Sequence, residues 1–167
     1  PASLVSGADL KPRVAAYLNP LSTNLQDTLH DFHLMADAHL TDVSFTNLNL
    51  PESLARGIAD AGFERCTPIQ AQTLPRALAG FDVAGQAQTG TGKTAAFLVA
   101  LYSRILRSEV PPTRKVNAPL ALIIAPTREL AVQIHHDAEL LGQYTGLKLG
   151  LAFGGVDYER QRRDLEE

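Results

Sequence analysis

The chain has 167 residues, is 45% hydrophobic, and carries 15 basic against 18 acidic side chains for a formal net charge of −3. That length supports one globular domain with a core of its own, and the charge excludes a surface coated in basic residues, although a site built from backbone amides leaves no trace in net charge. The single cysteine, Cys66, excludes an internal disulfide framework; with no apolar run of the roughly 20 residues that span a bilayer and no leader pattern, the expectation is a reducing, cytoplasmic setting without a membrane.

Residues 1–42 hold proline and glycine at irregular intervals with no sustained hydrophobic period, and read as a tail, poorly ordered or foreign to the rest of the chain. The only methionine is Met35, so a native start there is one expectation. His30, His33, Asp37 and His39 fix no tetrahedral geometry and read as a solvated segment, with no metal ligand assigned. The folded unit is expected over residues 43–167.

From there the punctuation is regular. Pro51 and Gly62 bracket a helix over 51–61 with Leu54, Ile58 and Ala61 at helical spacing. Thr67 and Pro68 give the next start signal, an N-cap hydroxyl and a first-turn proline, for a helix over 68–79 that Pro75 is expected to kink or divide. A short strand is predicted at 82–86, then a glycine loop, then a helix over 93–108 in which Phe97, Leu101 and Ile105 recur every four residues. Pro111, Pro112, Arg114 and Lys115 mark an exposed connection to 120-LALIIA-125, a continuous apolar run of the kind found in a strand buried on both faces. Thr127 caps a helix over 128–144; a third strand is predicted at 147–153, before Gly154 and Gly155, and a charged helix over 157–167. Alternation of strand and helix predicts an α/β fold, a parallel sheet with right-handed crossovers.

The loop carries the chemistry. In 87-AQTGTGKT-94, Gly92, Lys93 and Thr94 fill the end of the P-loop pattern between a strand and a helix, with Ala87 at its first position in place of glycine. Gly90 and Gly92 let backbone N–H groups turn towards an anion, and the following helix aims its positive end at the same point. Lys93 can reach the β- and γ-phosphates, and the Thr94 hydroxyl can coordinate Mg²⁺. The bland alternative is a Gly-Thr-Gly turn that only relieves strain, which the full pattern in this context disfavours.

Upstream, Gln70 could accept from adenine N6 and donate to N7, the pairing that rejects guanine, while Phe45 could cover the base face. Taken singly, Gln70 reads as a surface residue and Phe45 as core. His135 and His136 point about 100° apart on their helix and read as surface and boundary residues, not a catalytic pair.

Together, 62-GFERCTPIQ-70, 87-AQTGTGKT-94, 126-PTREL-130 and the Gly154–Gly155 pair resemble the Q motif, Walker A motif, motif Ia and GG motif of the DEAD-box RNA helicases, in order and spacing, over about residues 43–167. The stretches 80–98 and 154–161 are similar to the members found in bacterial RNA degradosomes. The resemblance implies a P-loop RecA-like sheet flanked by helices, with ATP and Mg²⁺ as cofactors and RNA as partner, and a ribonuclease-containing degradosome as a possible assembly. It implies ATP contacts from Phe45, Thr67, Gln70, Ala87, Gln88, Thr89, Gly90, Thr91, Gly92, Lys93 and Thr94, with Thr94 on the Mg²⁺. It implies RNA-backbone contacts from Pro126, Thr127, Arg128, Glu129, Gly154 and Gly155. Standing alone, 126–130 would be an ordinary capped helix start.

Hydrolysis in the family also needs a D-E-A-D element, a Ser-Ala-Thr element and arginines from a second RecA-like domain. Neither an Asp-Glu dipeptide nor Ser-Ala-Thr occurs in the sequence. The expectation is a partial chain, incomplete at its C-terminus, that by itself binds ATP weakly, turns over none and is marginally stable. Two alternatives remain: a non-catalytic nucleotide- or RNA-binding module, and a P-loop ATPase of another family.

Overall fold

The computed structural model describes residues 3–5, 40–109, 113–114, 118–155, 159 and 161–163. The histidines at 30, 33 and 39, with Met35 and Asp37, fall outside the described residues, as do most of the 110–117 connection and most of the C-terminal charged helix.

Strand β1 (Ser3–Val5) precedes a short 3-10 turn (Phe45–Leu48), followed by α1 (Glu52–Asp60), α2 (Pro68–Leu78), β2 (Ala84–Gln86), α3 (Lys93–Arg107) and α4 (Arg128–Gly142). All four helices stand where their start and stop signals put them, with Gly62 and Gly80 just past the ends of α1 and α2. Helix α2 runs through Pro75 as one element, so proline there does not divide it.

The core lies between the helices. Leu54 and Ile58 of α1, Leu74 of α2, Leu98 and Val99 of α3 and Leu141 of α4 are almost wholly shielded, each such side chain contributing about 1.5–3 kcal/mol relative to exposure. The buried stripe on α3 is Ala95, Leu98, Val99 and Tyr102, a spacing of three and four residues. Phe97, Leu101 and Ile105, the stripe expected from their fourfold recurrence, are only half-buried beside it. Two close approaches tighten the bundle. A Cβ on Gly57 would lie 2.1 Å from the Leu141 carbonyl oxygen, so α1 and α4 meet backbone to backbone. The Tyr102 hydroxyl donates to the Ala138 carbonyl at 2.7 Å, joining α3 to α4.

Strand β2 lies within the segment expected at 82–86, and the other strands depart from expectation. The ladder among the described residues is antiparallel, β1 against β2, with Leu4 opposite Gly85. Residues 120–125 and 147–153 carry no ladder, and Leu122 and Ile124 are 78% and 79% exposed where burial on both faces was expected. A helix satisfies its own backbone, whereas a strand requires hydrogen bonds to a neighbouring backbone, and among the described residues the only paired strands are β1 and β2.

Candidate functional site

The first group of residues gathers around the glycine loop. Thr67 is extended (φ −68°, ψ 164°), Pro68 opens α2, and Gln70 is the third helical residue. From there Gln70 Oε1 accepts the Thr67 N–H at 2.9 Å, the return half of a capping box. Its Nε2 donates to the Gly92 carbonyl at 3.1 Å, and the Thr67 hydroxyl donates to the Thr91 carbonyl at 2.8 Å. The N-terminus of α2 is thereby stitched to the loop across more than twenty residues of sequence. Gln70 is 1% exposed, so it is a buried linker and not the surface residue it resembles when taken singly.

Gly92 closes the loop with φ +81°, and a Cβ there would stand 2.4 Å from Gln70 Nε2. Glycine is thus required twice, by conformation and by the amide beside it. The Thr91 hydroxyl donates to the Gln88 carbonyl at 2.8 Å, a bond internal to the loop. Lys93 folds back over the same loop: Nζ donates to the Ala87 carbonyl at 2.7 Å and to the Gln88 carbonyl. Partial burial lowers its pKa below the ordinary lysine value.

An ammonium held only by carbonyl dipoles and partly stripped of water binds an anion more strongly than it binds those carbonyls. The leading amides of α3 at the same point add the helix's positive end. The residues present therefore fit a polyphosphate. Gln88, Thr89 and Gly90 line the exposed rim, with Thr94 half-buried on the first turn of α3.

Phe45 sits elsewhere. It is 4% exposed in the core, edge-on to Phe63 with ring centroids 5.9 Å apart. Its part in the site is not visible from its packing, which matches the core reading of this residue.

The second group forms at the start of α4. Thr127 is extended and its hydroxyl accepts the Leu130 N–H at 3.2 Å, as an N-cap should. Arg128, exposed, lays its guanidinium 4.2 Å from the centre of the Phe153 ring, within cation–π range. This joins Arg128, which follows Pro126 and Thr127 and precedes Glu129, to Phe153, the residue before Gly154 and Gly155 and twenty-five positions later. Phe153 was not anticipated as part of this group. An aromatic preceding two glycines is a weak signal in one sequence; the cap partnership of Gln70 was also missed, although the Thr-x-x-Gln spacing at 67–70 is the signal that could have found it.

The other titratable residues stand apart. His135 pairs with Glu139 at 3.6 Å along α4 and His136 is exposed, in keeping with boundary and surface roles. Among the described residues no group of three or more His, Cys, Asp or Glu could hold a metal ion.

Known proteins share this sequence and fold. The chain is 57% identical over 133 residues to the ATP-dependent RNA helicase RhlB of Xanthomonas oryzae, covering 80% of this chain and 23% of that protein. It is 55% identical over 132 residues to RhlB of Shigella dysenteriae, covering 79% and 31%. The chain thus spans about a quarter to a third of the length of the curated relatives it matches. Among solved structures it resembles the RNA helicase Prp28 of Chaetomium thermophilum bound to ADP, with a TM-score of 0.63 and 36% identity over 74% of this chain and 29% of that one. It also resembles a DEAD box protein from Methanococcus jannaschii, with a TM-score of 0.60 and 31% identity over 73% and 32%. The fold is therefore partial RecA-like, represented here by its P-loop strand and flanking helices. A family model for DEAD/DEAH box helicases matches residues 67–167, and the chain belongs to that family.

Proposed function

We propose that this chain is the ATP-binding part of an RNA helicase that couples ATP binding and hydrolysis to RNA binding and local duplex opening. The observation that carries this reading is the stitched loop: a phosphate cradle whose Gly92 and Thr91 carbonyls are held by Gln70 and Thr67. A P-loop ATPase of another family would need the lysine and glycines, but not a buried amide wired to them.

In this reading the loop from Ala87 to Thr94 would hold the phosphates, Lys93 would exchange the Ala87 and Gln88 carbonyls for them, and the Thr94 hydroxyl would be a ligand for an accompanying Mg²⁺ that offsets phosphate charge. Gln70 uses one carbonyl lone pair and one N–H on the protein, and at 1% exposure its remaining lone pair and N–H would meet the edge of adenine only if the segment around it opens. Phe45, buried at 4% exposure, reaches the base only if the 3-10 turn shifts outward. RNA meets the cap of α4, Arg128 and the Gly154–Gly155 turn through its sugar–phosphate backbone, so sequence preference is slight. The setting that goes with this reading is cytoplasmic, with RNA degradation in a ribonuclease-containing complex as the proposed assembly. Among the described residues no helix is long and apolar enough to cross a membrane.

The test is RNA-stimulated ATP hydrolysis and duplex separation by the full-length protein that contains this chain. Lys93→Ala should abolish both, and Gln70→Ala should lower affinity for ATP and relax the preference for ATP over GTP. Hydrolysis unchanged by Lys93→Ala, or equal use of GTP by the unmodified protein, would overturn the reading.

A further inference from the structure

Gln161 has no place in the phosphate loop or at the start of α4. Its side-chain amide nevertheless meets both main-chain groups of one residue: Oε1 accepts the Phe153 N–H at 2.9 Å, and Nε2 donates to the Phe153 carbonyl at 3.1 Å. This reproduces the exchange of two N–H···O bonds by which an antiparallel neighbour pairs a strand residue. Here a side chain supplies it to a segment that has no ladder. Two bonds from one planar group fix both the position and the rotation of the peptide units around Phe153, where a single bond would leave a swivel.

Phe153 is also where Arg128 lands, and the exposed glycines come immediately after it, with Gly155 at φ +83°. The clamp thus holds the residue that lies between the Arg128 guanidinium and the Gly154–Gly155 turn. We propose that Gln161 is a positioning residue for RNA binding: by clamping the Phe153 backbone it holds the glycine turn and the Arg128 guanidinium as one preformed surface for a sugar–phosphate backbone. The proposal rests on the assignment of this surface to RNA. Without the clamp the turn samples other arrangements, and RNA must bear the cost of ordering it. Gln161 itself need never touch the RNA.

The test uses the full-length protein with Gln161→Leu, which removes both bonds, Gln161→Glu, which keeps the acceptor but sets a carboxylate against the Phe153 carbonyl, and Arg128→Ala. Three quantities are read: affinity for a fluorescent single-stranded RNA, affinity for a fluorescent ATP analogue without RNA, and amide hydrogen exchange across residues 147–155. Both Gln161 variants should weaken RNA binding about tenfold, speed exchange in 147–155, and leave nucleotide affinity unchanged. In RNA-stimulated hydrolysis the RNA concentration for half-stimulation should rise while kcat at saturating RNA holds.

If Arg128→Ala weakens RNA binding and the Gln161 variants do not, the clamp is idle and the RNA reading survives. If none of the three changes RNA binding, the RNA reading itself fails and the proposal with it. Loss of nucleotide affinity together with RNA affinity in the Gln161 variants would mark a general structural role and also reject the proposal. Should the variants not fold, exchange in the unmodified protein decides: a Phe153 amide protected from exchange supports the clamp, and one exchanging at the rate of a free amide overturns it.

Discussion

Single residues carry their meaning through neighbours distant in sequence. The phosphate loop was legible because its pattern is local: glycines, lysine and threonine within eight positions, followed by a helix start. Gln70 was legible as a candidate for reading adenine, but its engagement with Gly92 was not, because that bond spans 22 residues. Asp137 gave no sequence signal at all. On α4 its Oδ2 is buried without a hydrogen-bond partner among the described residues, and burial lifts its pKa to about 6, an effect that the positive charge of His136 only partly offsets. The folded chain therefore holds this proton to higher pH than the unfolded chain does. Stability from protonated Asp137 is fully present below the unfolded carboxylate pKa near 4 and is lost as pH rises through about 6. The carboxylate is not wholly enclosed, so the effect is about 2 kcal/mol at most. Comparing Asp137→Asn with the unmodified chain by urea denaturation should show the difference in stability shifting in favour of the variant as pH goes from 4 to 7. A pH-independent difference would show that Asp137 ionises freely in the folded state.

At the scale of elements, the helices and the strand at 82–86 were readable, whereas the strands expected at 120–125 and 147–153 carry no ladder among the described residues. Each helix carries its own signals: Thr67 with Pro68 for α2, Thr127 for α4, glycines past α1 and α2. What the signals do not convey is how closely helices approach. Gly57 lies inside α1, where glycine costs about 1 kcal/mol relative to alanine, so propensity alone recommends replacing it. The packing reverses that advice: the added methyl would stand 2.1 Å from the Leu141 oxygen and 3.0 Å from its carbonyl carbon, and a backbone within α4 cannot swing aside as a side chain can. Gly57→Ala should therefore destabilise the fold by roughly 1–3 kcal/mol despite its helix propensity. Thermal unfolding followed by circular dichroism measures this, and a midpoint equal to or above that of the unmodified chain would mean that α1 and α4 separate without cost.

Across the whole molecule, the mismatch between sequence and structure is concentrated in 120-LALIIA-125. Its composition encodes a strand covered on both sides, with high β propensity, no charge and no proline. In the described structure, Leu120, Leu122, Ile123 and Ile124 are all at least 40% exposed, with Leu149 nearly so at 39%. The helical side of the fold is complete enough to bury Leu54, Leu74, Leu98 and Leu141, so the chain has a core while leaving an adhesive segment uncovered. Such a segment, with no backbone ladder among the described residues, pairs with copies of itself. The chain should therefore self-associate with rising concentration, in light scattering or sedimentation, at conditions where its helices remain folded. Leu122→Lys combined with Ile124→Lys should suppress that association, since charges on an exposed strand face oppose edge pairing, while leaving helix content unchanged because neither side chain contributes to the buried cluster. Association undiminished by the two lysines would place the adhesive surface elsewhere, with Phe81, at 62% exposure, the next to be changed.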